Sequence, residues 1–461
     1  MKIGMSLTAV LLAGSAALLG QMSADAMPGG KGGSAGGGIG ADVAVCTIPD
    51  IYRWGNRDGF TGYSAATTSV NLGDVNLLWD ADSDAHPRIP QNAFRFAEGR
   101  LVQIGQSWCK DGFCALQLNG CGPCQPAGGG CPEILGPGCA DPYSSSLNGS
   151  QGGLAPRYQS NPVTGHFTYP PQNLPAATPT IGRRLQVRIY DLNSVVWGDD
   201  ARYYVDAMYL HYQDTDSGNN MNNASYREFS VGNITSSGYP LDTFGPTSIG
   251  DPAIYAWEEN SDTVTIEAVD FPNDGRVHVA SDVIDQGDGT YRYEYAIYNY
   301  NSGDAVNGFS VPVPVGTTVS DIGFHDTNSH SGDPNATNSW ITSSNGGAVS
   351  WYTSEYAQDP LANSIRWGTQ YNFWFVTDSA PEAGLGDIEI YRTDDVATAN
   401  IFVPAGGGGD NPYDLNGDGI VNGADIGLFL ALWGDVDGPG DFNADGIVNG
   451  ADFGMLLAAF G

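Results

Sequence analysis

The chain has 461 residues, with 18 Lys+Arg against 52 Asp+Glu, so its formal charge is −34. That balance excludes a nucleic-acid binder, which needs cations to displace counterions from phosphate, and adsorption to anionic lipid. Apolar residues at 41% and aromatics at 11% exclude wholesale disorder, and the 64 glycines point to a turn-rich, strand-rich chain.

Residues 1–26 read as an export signal. Met1-Lys2 is a short positive start, Leu7 to Gly20 is apolar, and Ala24-Asp25-Ala26 fits a small-x-small cleavage site. The apolar run is too short to span a bilayer, and no later run is longer, so no membrane span is expected. The chain should be secreted, extracellular or at the cell surface. Residues 27–40 form a flexible Gly-rich linker.

Residues 41–261 read as a β-rich domain that contains a cysteine region. Cys46 stands apart, whereas Cys109, Cys114, Cys121, Cys124, Cys131 and Cys139 crowd into 31 residues rich in Gly and Pro. In an oxidising compartment this is a disulfide-stapled loop region. Seven cysteines leave at least one free or paired between chains. The rival reading is a zinc knot of Cys121, Cys124, Cys131 and Cys139, but it lacks a second CxxC. Leu185, Val187 and Ile189 alternate with polar residues, as in a strand.

Three motifs in this region invite chemistry. Asn148-Gly149-Ser150-Gln151-Gly152 lacks the glycine that a nucleophile elbow needs, and Pro156 follows too soon for a helix. Asp214-Thr215-Asp216 with Asn219, Asn220, Asn222 and Asn223 could seat calcium, yet an Asn-rich turn is the simpler reading. Glu258 and Glu259 after Trp257 could flank a glycosidic bond, but a solvated strand edge is preferred.

Residues 262–403 read as an antiparallel β-sandwich. Tyr291, Tyr293, Tyr295 and Ile297 alternate with Arg292, Glu294 and Ala296, and Tyr371, Phe373 and Phe375 repeat the pattern. Period two of this kind means half-buried strands. Gln286-Gly287-Asp288-Gly289 is a hairpin turn. His325, Asp326 and His330 lie in a polar loop, Asp321 to Asn338. They could hold a transition metal, but loop residues bonded to local backbone are the preferred reading. Trp340, Trp351, Trp367 and Trp374 are expected to fill the core. Residues 404–411 form a second Gly-rich linker.

Residues 412–461 are the most specific part of the chain. Asp414, Asn416, Asp418, Asn422 and Asp425 occupy positions 1, 3, 5, 9 and 12 of an EF-hand-type loop, with Gly419 at the sharp turn and the Ile420 carbonyl at position 7. The pattern recurs 27 residues later as Asp441, Asn443, Asp445, Ile447, Asn449 and Asp452. Both loops end in Asp, where the EF-hand rule has Glu. Ile426, Phe429, Leu430 and Trp433, then Phe453, Leu456, Leu457 and Phe460, have the spacing of one helical stripe. Gly434 and Gly461 are the expected helix stops. The segment holds eight Asp and no Lys or Arg, so calcium, two ions in all, should supply much of its folding energy.

This tandem resembles a type I dockerin. In that family position 12 is Asp, each loop precedes a single helix, and the duplicated unit binds a cohesin module on another protein. The resemblance implies two calcium shells on the twelve residues just named and a cohesin-like partner. It covers about 50 residues. The cohesin-contacting pair at loop positions 10 and 11, often Ser-Thr in the family, is here Gly423-Ala424 and Gly450-Ala451. Segments of the body, such as Phe324-His325-Asp326 and Ile365-Arg366-Trp367-Gly368, resemble exported bacterial proteins with similar tails and bring no activity with them. The expectation is therefore a mainly β, secreted, calcium-binding protein with a non-catalytic surface or matrix body docked through its tail. The alternative is a polysaccharide-degrading glycosyl hydrolase, or a polysaccharide-binding protein, delivered by the same tail.

Overall fold

Alternating side chains turn nearly every element of the body into antiparallel strand. The computed structural model describes residues 38–314, 317–328, 330, 332–345, 347–405, 412–416, 421–436 and 438–460. The export signal, nearly all of the first linker, most of the second linker, Asp418, Ile420 and Gly461 lie outside them.

The largest sheet has eight strands. In spatial order they are Leu241–Ile249, Ala224–Val231, Arg202–Met208, Gln91–Ala97, Arg100–Gln106, Leu185–Arg188, Phe60–Ala65 and Ile51–Arg57. One face packs on a three-stranded sheet built from Val43–Thr47, Thr67–Asn71 and Ala140–Tyr143, around Trp79, Tyr63 and Tyr209. The predicted strand at 185–189 stops at Arg188, where a 3-10 turn, Ile189–Leu192, takes over.

Further along the chain two five-stranded sheets face each other. The first runs Thr265–Asp270, Arg276–Asp285, Tyr291–Asn299, Thr369–Thr377, Val319–His325. The second runs Ile341–Asn345, Ala348–Tyr352, Val306–Pro312, Pro381–Ile390, Val396–Pro404. The expected hairpin forms, with Asp285 opposite Tyr291 and both Gly287 and Gly289 at positive φ. Tyr293 pairs with Phe375 and Tyr295 with Phe373, so the aromatic residues of neighbouring strands build one inward ladder. Trp340 and Trp351 lie in that core, as the sequence suggests.

The half-buried reading of these strands needs correcting. The other face of the first sandwich sheet is buried as well. Ala280, Ala296, Tyr298 and Tyr300 meet Phe94, Tyr204, Met208 and Tyr226 of the eight-stranded sheet in a third core, which also holds Trp257 and Trp367. Glu294, on this face, is fully buried. Arg100 reaches it with two hydrogen bonds of 2.6 and 2.7 Å, and Arg292 with an ion pair of 2.8 Å. A charge on a strand reads as solvent-facing only until a second sheet covers it, and then it needs a partner.

Two further expectations change. The polar loop expected over 321–338 begins inside a strand, Val319–His325, which pairs with Thr369–Thr377. Glu258 and Glu259 end a 3-10 helix, Ala253–Glu259, and are not a strand edge.

The cysteine region is cross-linked by Cys46–Cys121, Cys114–Cys131 and Cys124–Cys139. These bonds use every thiol of the rival zinc knot. Cys109 is the free, buried cysteine, and burial pushes its thiol up to about 12, so it is not a nucleophile. Among the described residues no helix is long and apolar enough to cross a membrane.

Candidate metal centre

The tail folds as two loop–helix units. The helices are Gly423–Ala431 and Gly450–Ala458. Each starts on an Asn cap, Asn422 or Asn449, and closes a capping box with the Asp three residues on, Asp425 or Asp452. The Asn-Gly-Ala-Asp spelling carries that signal in the sequence, and loop grammar alone overlooks it.

The box ties the loop shut. Asp425 Oδ1 accepts from the N–H groups of Leu415 at 2.9 Å and Asn416 at 3.1 Å, while Oδ2 accepts from Asn422 at 2.8 Å. Asp452 repeats this wiring with Asn443 at 3.1 Å and Asn449 at 2.9 Å. Both carboxylates are fully buried. Burial acts to raise the Asp452 carboxyl, but the N–H groups of Asn449 and Asn443 outweigh it and hold it below the ordinary range.

The second loop is described throughout. Asp441 accepts from Asp445 N at 3.1 Å and Gly446 N at 2.8 Å, and Asn443 Oδ1 accepts from Asp445 N at 2.9 Å. Asp445 accepts from Ile447 N at 3.2 Å, and the Ile447 carbonyl accepts from Asn449 Nδ2 at 2.9 Å. In the first loop Asp414, Asn416, Asn422 and Asp425 are described, and Asp418 and Ile420 are not. Among the described residues no three His, Cys, Asp or Glu side chains converge as a metal-binding group. The loop carboxylates are turned instead onto backbone N–H groups. Each carboxylate oxygen so engaged keeps lone-pair capacity, and every donor in the loop is a hard oxygen, so the set suits calcium chemically.

The helical stripe is only half right. Phe429 and Leu456 are buried with Val421 and Val448, and Ile426 and Phe453 pack against them. Leu430, Trp433, Leu457 and Phe460 are 54%, 51%, 48% and 50% exposed. The helices stop at Ala431 and Ala458, ahead of the expected glycines. Gly434 instead takes φ +92° and donates to the Val448 carbonyl at 2.9 Å, linking the first unit to the second loop.

The body's candidate sites come apart. His330 Nε2 contacts the Arg184 carbonyl at 2.7 Å, a long-range bond where local ones were expected. Asp326 accepts from Asn363 at 2.6 Å. Burial and nearby arginines push His325 down to about 4, so its imidazole is neutral at physiological pH. Glu259 accepts from the Tyr226 hydroxyl, and Trp257 is core. Asn148 is buried and donates to the Ala65 carbonyl at 2.9 Å, so no elbow forms.

A small open cleft is lined by Arg157, Asp333, Asn363, Arg366, Trp367 and Tyr371, among others. Among the described residues Asp333 is its one carboxylate, pushed up to about 6 by burial. Trp108 Nε1 donates to it at 3.0 Å. Glycoside hydrolysis by the usual route needs two facing carboxylates, which this cleft does not offer.

No family model matches the chain, and no curated protein matches it. Among solved structures, an exo-β-D-glucosaminidase studied for its inhibition is 10% identical with a TM-score of 0.16. That alignment covers 76% of this chain and 26% of the glucosaminidase, so this chain spans about a quarter of it. The partial N-terminal region of an enterococcal surface protein is 10% identical with a TM-score of 0.15, covering 83% and 98%. At these scores neither likeness bears on fold or function.

Proposed function

We propose that this is an exported protein whose tail binds two calcium ions and docks onto a cohesin-like module, carrying a non-catalytic β-rich body to a surface or matrix. The observation that carries the reading is the duplicated loop. Two oxygen-only loops 27 residues apart are each closed by a capping-box Asp with the same backbone partners. When bound, calcium would supply the positive charge that residues 412–461 lack.

Docking has its own support. The exposed apolar residues fall at matching places in the two units, Leu430 with Leu457 and Trp433 with Phe460. A repeated apolar face on an acidic module marks an interaction surface. Three disulfides agree with export to an oxidising compartment.

The test is calorimetry with calcium on the full chain and on a variant carrying Asp414→Ala and Asp441→Ala. The unaltered chain should take up two ions that the variant does not, and helical circular dichroism should rise with calcium only in the former. Equal uptake by both chains would sink the assignment. Release of reducing sugar from a polysaccharide by the purified chain would overturn the non-catalytic body in favour of a glycosyl hydrolase.

A further inference from the structure

The Asn-rich segment after Asp214 turns over 217–221, as the simpler reading expects, but Asn222 and Asn223 beyond the turn are buried. Asp214 lies in a short helix, Tyr212–Asp216, and is fully buried. Asp42, at the start of the body, is 1% exposed, Asn222 is 3% and Asn223 is 1%. These four side chains form two neighbouring pairs, Asp214 with Asn223 and Asp42 with Asn222. Asp214 Oδ1 accepts from Val43 N at 3.0 Å, and Oδ2 accepts from Asn223 Nδ2 at 2.7 Å. Asn222 Nδ2 reaches Asp42 Oδ1 at 3.1 Å, and Gly38 N donates to Asp42 Oδ2 at 3.3 Å.

Two observations are unexplained by this network. The Oδ1 atoms of Asn222 and Asn223 are buried and, among the described residues, have no hydrogen-bond partner. An orphaned buried acceptor forfeits its bond to water without replacement, and two on adjacent residues are unusual. They belong to the same amide groups whose nitrogens touch the two carboxylates, so a turn of either amide about its Cβ–Cγ bond would bring the oxygen to the carboxylate side. Moreover, among the described residues Asp214 has no Lys or Arg partner; its hydrogen bonds come from an amide and a backbone N–H. Burial, joined by the like charge of Asp42, pushes the Asp214 carboxyl well above its usual range.

We propose that Asp42, Asp214 and the side-chain oxygens of Asn222 and Asn223 form a buried site for one calcium ion, separate from the C-terminal loops. All four donors are hard oxygens, with no nitrogen or sulfur ligand to favour a transition metal. Magnesium keeps several waters and octahedral geometry, which suits four buried side chains poorly, whereas calcium accepts irregular oxygen cages. The ion accounts for both orphaned oxygens and for paired carboxylates. It would tie the first residues of the body to the 212–223 segment, where Ala41 N already donates to Ser217 Oγ at 3.0 Å and Asn219 Nδ2 to the Ala41 carbonyl at 2.8 Å.

The test starts from the full chain carrying Asp414→Ala and Asp441→Ala, stripped with chelator and titrated with calcium alone. One equivalent should still bind, raise the melting temperature, and vanish when Asp214→Asn is added. No uptake, or uptake that Asp214→Asn leaves unchanged, would overturn the site and leave Asp214 as a protonated acid. Hydrogen exchange on the unaltered chain guards against a misfolded variant. Calcium should slow exchange in residues 38–45 and 212–224, and equal exchange with and without the ion would also overturn the site. If the tail binds no calcium, the unaltered chain should take up this single equivalent and lose it with Asp214→Asn.

Discussion

The body and the tail handle buried charge in opposite ways. In the body, charges are held by the fold. Glu294 sits between Arg100 and Arg292, and Arg95 meets Asp191 at 2.7 Å. Arg157 is spent on the carbonyls of Ser107, Gly368 and Gln91 and on the Asn92 amide. Large aromatic cores on both sides of each central sheet can absorb such groups. In the tail the relation reverses, because the charges hold the fold. Among its described apolar residues only Val421, Phe429, Val448 and Leu456 are buried, and two buried carboxylates staple its loops. Removing charge should therefore unsettle the body through the partners left behind, and the tail through its own backbone.

The sharpest way to separate the two regions is Phe429→Ala. Truncating a core Phe costs about 3–5 kcal/mol, more than a unit of some 50 residues can spare. Tail helicity should disappear while the near-ultraviolet signal of the body persists; loss of both signals would mean that the regions fold as one. Next in size is Glu294→Ala, which leaves two partly buried guanidinium groups without their carboxylate. A loss of roughly 2–4 kcal/mol in chemical denaturation is expected, below the full cost of a broken buried pair because both arginines keep some solvent. A loss under about 1 kcal/mol, the scale of an exposed pair, would break the contrast.

Acid should pull the regions in opposite directions. Asp206 is buried and pushed up to about 6 by that burial, against a backbone bond from Ala253 and the charge of Arg157. The folded body therefore keeps this proton where the unfolded chain has lost it. Its contribution is fully present below the unfolded value near 4 and is lost as pH rises through about 6. Asp206→Asn should thus gain on the unaltered chain between pH 4 and 7, by on the order of 1–3 kcal/mol in paired melts. For Asp452 the sign is reversed, since its folded carboxyl is depressed. Its contribution is present above the ordinary carboxylate range and lost as pH falls through the depressed value. Tail helicity that survives undiminished to pH 2 would contradict the staple. The smallest effect on stability belongs to Leu430→Ser with Leu457→Ser, under about 0.5 kcal/mol each for exposed positions. The same pair should abolish docking to a cohesin-like module, and unchanged capture would move the interface elsewhere.

Local chemistry made much of this readable. The 27-residue repeat, the Gly287–Gly289 turn and the inward Tyr–Phe ladder depend on spacings within one or two elements, so they can be seen in a string of letters. The capping boxes were equally local and were hidden only because the same Asp residues also complete a loop pattern. Leu430 and Leu457 show where spacing fails, because a helix with a wide apolar stripe does not say which edge of it will be covered. The His325–His330 cluster failed for a similar reason. Its residues are close in sequence, but the strand ending at His325 sends them toward Arg184 and Asn363, partners far along the chain.

From the residues alone came the class of the protein: mainly β, acidic, cysteine-bridged, with a duplicated oxygen-rich tail. Composition and short periodicities suffice for that, since each strand, turn and cap is stabilised by neighbours a few positions away. Which cysteines pair, why Glu294 is buried, and how Asp42 comes to lie beside Asp214 were decided by tertiary structure. Those outcomes join residues up to some 190 positions apart, and burial acquires its cost or benefit only once two sheets have closed over the same side chain.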